Sequence, residues 1–210
     1  MTIAAAKAAS GDAAHHLMQS IAPSPGKTCT TPQPRSATLT TLFNYWSSLP
    51  AAGGLPNASD FRPTEIARCL PDTAIHEIRS PDVVIYRLAG TGIAERMGHD
   101  PTGTNVLDLV ATGLRQQAGR DLLEIFHRPC GLHLRYVNTY SSGRVTAIES
   151  LYLPLRPPAG AYPRVISVHA PEDVIEYTHP LDLSLIAETI NDVIWIDLGF
   201  GTPAGDQPRP

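Results

Sequence analysis

Cysteine is scarce in this sequence. Cys29, Cys69 and Cys130 are the three in 210 residues. An odd number at wide spacing builds no disulfide framework, and no Cys-x-x-Cys pair offers a zinc site. They read as reduced thiols. Charge is sparse too, with 17% Asp, Glu, Lys and Arg and a net charge of −4. The 16 Lys and Arg are scattered, the nearest approach to a patch being Arg120 and Arg128 along one helix. The basic stripe of a nucleic-acid binder is missing, so nucleic acid is not expected as a partner. No apolar run approaches the roughly 20 residues that span a bilayer, so no membrane association is expected. The start, Met1-Thr2-Ile3-Ala4-Ala5-Ala6-Lys7, has no basic region ahead of an apolar core. A secretory signal is therefore not expected, and a cytoplasmic location follows. Signatures of catalysis are also lacking: there is no Gly-x-Ser-x-Gly elbow, no His-Glu-x-x-His and no phosphate-binding loop.

What is present suits one domain of ordinary size with its own core. Residues 1–36 are rich in Ala, Ser, Thr and Pro, and Pro23, Pro25, Pro32 and Pro34 forbid a continuous helix. This stretch, including the incidental pair His15-His16, is expected to be a flexible tail. The domain is expected over 37–198, followed by a second flexible tail over 199–210. Leu39, Leu42, Phe43, Trp46 and Leu49 make an apolar stripe at helical spacing, ended by Pro50. Pro63 opens a short helical turn that buries Ile66 and Leu70.

Thr73 to Arg79 and Val83 to Leu88 read as a hairpin closed by Ser80-Pro81-Asp82. Helical segments follow near 92–97, 105–110 and 113–126, the last with Leu114, Ala118, Leu122, Ile125 and Phe126 inward. Strands are expected at Leu132 to Tyr140, Val145 to Arg156 and Arg164 to Ala170. Leu181 to Ile190 reads as a helix and Asp192 to Leu198 as a short strand, although the apolar run there fits either period. Two strands, several short helices and three strands make an α+β domain. Its sheet is five-stranded and antiparallel, with the helices gathered on one side.

Scattered residues carry a more specific pattern. They are Leu42-Phe43-Asn44-Tyr45-Trp46, Leu55-Pro56 with Asp60-Phe61 and Pro63, Leu70-Pro71, Arg87-Leu88-Ala89-Gly90-Thr91, Gly98 with Thr102-Gly103, Gly143-Arg144, and Glu149-Ser150-Leu151-Tyr152-Leu153-Pro154-Leu155. As a set spread over roughly residues 40–170, they resemble a bacterial subfamily of PAS domains, with departures at Ala58 and Arg62. The resemblance implies a PAS fold whose sheet and short helices can enclose a ligand, with an N-terminal helix flanking the sheet. It also implies a sensory or signalling role and a homodimer, for which Leu39, Leu42, Phe43 and Trp46 are the candidate contact. The chain has no room for the output domains that often follow such sensors. It is expected to stand alone and to signal by docking another protein.

Gly90-Thr91-Gly92 imitates the start of a dinucleotide-binding turn, but Glu95 fills the third small position, so a plain turn explains the glycines better. No cofactor is expected. Cys69 and Cys130 lie outside any flavin-reactive motif, and His99 and His127 look solvated rather than placed to hold haem. Polar residues on otherwise apolar strands are the natural ligand contacts, and Arg87, Tyr136, Tyr152 and His169 are the candidates. Which strand face lines the cavity stays open, because a slip of one residue exchanges the two sets. Two other readings stand beside the sensor. One is a small α+β enzyme using His169 or His133 as acid or base. The other is a structural or localisation adaptor with a filled core and no ligand.

Overall fold

A computed structural model describes residue 24 and residues 26–51 and 54–203. The expected hairpin and the three later strands all form. They are β2 (Thr73–Ser80), β3 (Val83–Ala89), β4 (Cys130–Thr139), β5 (Arg144–Leu155) and β6 (Arg164–Tyr177). They are joined antiparallel in the order β4-β5-β6-β2-β3.

The sheet is wider than five strands. β7 (Leu185–Asp197) lies antiparallel beside β4, and β1 (Lys27–Cys29) lies parallel beside β7. The helix expected over 181–190 is therefore replaced by one long strand. An apolar run that suits either period is decided by its neighbour, and here the free edge of β4 supplies ladder partners from Cys130 to Thr139.

Parts of both expected tails are likewise built in. The ring N–H of Trp195 donates to the Ser24 carbonyl at 3.0 Å, and the Ser24 N–H donates to Asp121 at 2.8 Å. The Thr28 and Thr202 hydroxyls meet at 2.9 Å, and Asp197 accepts from the N–H groups of Gly199 and Gly201. Residues 1–23 and 204–210, with His15 and His16, lie outside the described residues.

The sheet has two apolar faces. Helix α1 (Ala37–Ser48) covers one, and its first turn is capped by the Ser36 hydroxyl, which accepts from the Thr38 N–H at 3.2 Å. Its stripe packs on the residues of β5 and β6 that alternate toward it: Leu151, Leu153, Leu155, Ile166, Val168 and Ala170. Leu39 and Leu42 are 0% exposed, each worth about 2 kcal/mol of burial. Trp46 is buried as well and donates its ring N–H to the Pro154 carbonyl at 2.8 Å.

The opposite face carries α2 (Thr91–Met97), α3 (Val106–Leu109) and α4 (Arg115–His127). They pack on Ala74, Ile78, Leu132, Tyr152 and Trp195. Helix α4 crosses close above the β2–β3 turn at Gly119, where a Cβ would meet the Pro81 carbonyl oxygen at 1.8 Å. Among the described residues no helix is long and apolar enough to cross a membrane.

Candidate functional site

Between α2–α4 and their face of the sheet lies a cavity. Its walls are largely apolar, with Ile93, Met97, Val106, Leu107, Val110, Leu122, Leu132 and Leu134 among them. The volume open to the centres of water-sized molecules is about 70 Å³. One water needs roughly 10–15 Å³ by that measure, so the space holds several waters or a small organic molecule.

Strand alternation delivers a line of polar groups into these apolar walls. His76 of β2, Tyr136 of β4, Tyr152 of β5 and His169 of β6 all line the cavity. The Tyr136 hydroxyl hydrogen-bonds Nδ1 of His169 at 2.8 Å, and Nε2 of His169 hydrogen-bonds the Ser167 hydroxyl at 2.8 Å. Ser167 in turn meets Nε2 of His76 at 2.8 Å. The relay thus runs Tyr136–His169–Ser167–His76 across three strands. It stops at Nδ1 of His76, a buried nitrogen with no hydrogen-bond partner.

Burial sets the protonation of this line. His76 is 1% exposed, and desolvation brings its pKa down to about 4. His169 keeps a little accessible surface, yet its pKa is also held well below 6.5, by desolvation first and then by His76 and Arg96. Burial raises the pKa of Tyr86, Tyr136 and Tyr152, so the phenols stay protonated.

The charged residues at the cavity are committed elsewhere. Arg96 of α2 donates to Asp72 at 2.6 Å and to the His169 carbonyl at 3.2 Å. Asp121 of α4 accepts from the Ser24 N–H at 2.8 Å and from Gln117 at 2.9 Å, and burial still raises its pKa.

Three of the four expected contacts, Tyr136, Tyr152 and His169, therefore share one cavity. Arg87 does not join them. Ile75 pairs with Leu88 and His76 with Tyr86, which leaves Arg87 as the extra residue of a β-bulge, exposed to solvent. The expected dimer stripe is spent within the chain: Leu39, Leu42 and Trp46 are buried on the protein's own sheet and Phe43 is half-buried there.

His133 points to the α1 side of the sheet, where its Nε2 donates to Glu149 at 3.0 Å. The same carboxylate accepts from the backbone N–H groups of Arg35 at 2.9 Å and Ser36 at 2.8 Å, fixing the start of α1. Gly90 of the false dinucleotide turn sits where a Cβ would meet the Leu70 carbonyl oxygen at 2.0 Å, so close packing requires that glycine.

Sequence reasoning missed His76, Ser167 and Arg96. The available signal was the period-two placement of His76 between Ala74 and Ile78, which becomes readable once the inward face is known. Among the described residues no group of three or more His, Cys, Asp or Glu could hold a metal ion. Both ring nitrogens of His169 are occupied by Tyr136 and Ser167, which leaves them no lone pair for an axial ligand role.

Compared with known proteins, residues 34–169 match a family model described as a PAS domain. No curated protein and no solved structure matches. The matched stretch is well over half of the chain and contains the whole relay from His76 to His169, whereas β1 and β7 lie outside it. The chain belongs to the PAS domain family.

Proposed function

Taking membership of the PAS domain family as the premise, we propose that this protein is a ligand-binding sensor whose occupant sits in the cavity between α2–α4 and the sheet. The family implies a sensory or signalling module. The observation that carries the finer reading is a largely apolar cavity into which Tyr136, Tyr152 and His169 bring a hydrogen-bonded polar group from each of three neighbouring strands.

The route for a signal is short. Ser150 and Glu149 are adjacent on β5, and Ser150 pairs with His169 of β6 in the ladder. Glu149 anchors the start of α1. A shift of these strands on occupancy therefore bears directly on α1, and the output is a changed affinity for a partner protein or for a second copy of this chain.

An enzyme is the weaker reading. Of the two histidines that reading names, His169 at the cavity bonds a tyrosine and a serine, while His133, bonded to a carboxylate, lies on the other side of the sheet, under α1. A filled-core adaptor does not fit a cavity of this size.

Native mass spectrometry of protein purified from the cells that make it tests the proposal. Leu134→Phe, which fills the cavity, serves as the control after its fold is checked by circular dichroism. The expected result is a retained small molecule on the wild type that the variant lacks. Bare protein mass in both, under conditions gentle enough to keep weak complexes, would count against a ligand sensor.

A further inference from the structure

Most polar groups of the cavity wall are occupied by one another. The Tyr136 hydroxyl is held by His169 at 2.8 Å and by Tyr152. Ser167 meets both imidazoles and, at 3.5 Å, the Ala74 carbonyl, and Nδ1 of His76 is sealed from water-sized molecules. Arg96 is committed to Asp72 and the His169 carbonyl, and Asp121 to Ser24 and Gln117.

Three lining groups are left over. They are the hydroxyls of Tyr86 and Tyr140 and the side-chain nitrogen of Asn138, whose oxygen accepts from the Ala187 N–H at 3.0 Å. Among the described residues none of the three has a hydrogen-bond partner, and none is sealed as Nδ1 of His76 is. Tyr86, Tyr140 and Asn138 are only 4%, 2% and 6% exposed, which leaves the cavity they line as the space these atoms reach. Tyr136 and Asn138 share one face of β4, and Tyr140 continues that period. Burial, then Tyr152 and Tyr140, raise the pKa of Tyr86, which gathers these phenols in one part of the wall.

All three groups give protons. The Asn138 nitrogen can do nothing else, and a phenol gives more readily than it takes because its ring draws density from the oxygen. A carbonyl oxygen has two lone pairs, enough for both hydroxyls, and brings no proton of its own. An alcohol brings a proton for which the wall keeps only a weak phenol acceptor. A carboxylate brings a charge with no free cation to balance it, since Arg96 is held by Asp72 at 2.6 Å. The space of about 70 Å³ has room for roughly five to seven water-sized groups.

We propose that the ligand is a small uncharged carbonyl compound, a ketone or ester, whose oxygen accepts from the hydroxyls of Tyr86 and Tyr140, with Asn138 as a third donor and its apolar body against α2–α4. This rests on the reading of the cavity as a ligand site.

The test uses the full chain and four probes of similar size: cyclohexanone, its isostere methylenecyclohexane, cyclohexanol and cyclohexanecarboxylate. Calorimetry gives the affinities, and infrared spectra of carbonyl-¹³C cyclohexanone report its hydrogen bonding. Cyclohexanone is expected to bind about tenfold more tightly than any other probe. Its carbonyl stretch is expected at or below its value in water, whereas an unbonded carbonyl would sit at its value in alkane. Tyr86→Phe and Tyr140→Phe are each expected to weaken cyclohexanone, leave methylenecyclohexane unchanged and raise the stretch. If a variant fails to fold, the wild-type stretch decides. Another probe binding as tightly as cyclohexanone, variants that leave its affinity unchanged, or a stretch at the alkane value overturns the ligand class and leaves the cavity as a ligand site. Binding of none of the four overturns the ligand class too. If native mass spectrometry also finds no retained molecule, the sensor reading falls with it.

Discussion

Ser167 is fully buried and hydrogen-bonds both cavity imidazoles, at 2.8 Å each. Its replacement by alanine leaves two ring nitrogens without partners while changing the volume by a single oxygen. Ser167→Ala is therefore expected to lower stability by about 2 kcal/mol, read as a lower denaturant midpoint with an unchanged slope. His76 and Ser167 escaped the sequence reading for a physical reason. A histidine followed by Glu77, or a serine between Ile166 and Val168, is equally at home on a solvated strand face. The cross-strand pairing of His76 with Val165 and Tyr86 decides the face, and that is a property of register. Tyr136, Tyr152 and His169 were singled out as polar groups on otherwise apolar strands, and register brings all three to the cavity.

Among the elements, α1 is held at its start by a carboxylate from a distant strand. Glu149 is 1% exposed and satisfies two backbone donors and His133 together. Glu149→Ala strands all three and is expected to cost about 3–5 kcal/mol. Hydrogen exchange at residues 35–41 should rise more than at α4, and equal protection in the two helices would contradict the anchor. Helix α4 offers a sign test. Alanine is the better helix former by about 1 kcal/mol, yet Gly119→Ala places a Cβ against the Pro81 carbonyl oxygen at 1.8 Å. A net fall in melting temperature is expected, and a rise would show that α4 does not crowd the β2–β3 turn.

At this scale the hairpin of β2 and β3 was legible from Ser80-Pro81-Asp82, whose chemistry is local. Of β7 only the second half was legible, as the short strand expected from Asp192; the first half was not, because Leu181 to Ile190 suits two periods and pairing with β4 settles the matter. The stripe of α1 was read correctly as apolar, but a pattern cannot say whether the covering surface is a second copy or the chain's own sheet.

For the whole molecule, the buried histidines tie stability to acidity. His76 titrates near 6.5 when unfolded and at about 4 when folded, so the unfolded state binds the extra proton between those values. Stability is full above pH 6.5 and falls as pH drops toward 4, by about 3 kcal/mol from His76. His169, whose pKa is also lowered, acts in the same direction. Chemical denaturation at pH 7 and pH 5 should show about 2 kcal/mol of this loss, and His76→Phe should flatten it. An unchanged slope in the variant would place the acid sensitivity elsewhere.

The account as a whole rests on where an occupant sits. The most direct measurement is methyl NMR of ¹³C-labelled protein, before and after adding the small-molecule fraction of the cells that make it. Shifts are predicted first at the cavity methyls of Ile93, Leu122, Leu134 and Ile186, with Leu39, Leu42 and Leu153 responding less. Shifts confined to the α1 side, or none at any cavity methyl, would contradict the claim that this face of the sheet is the sensing site.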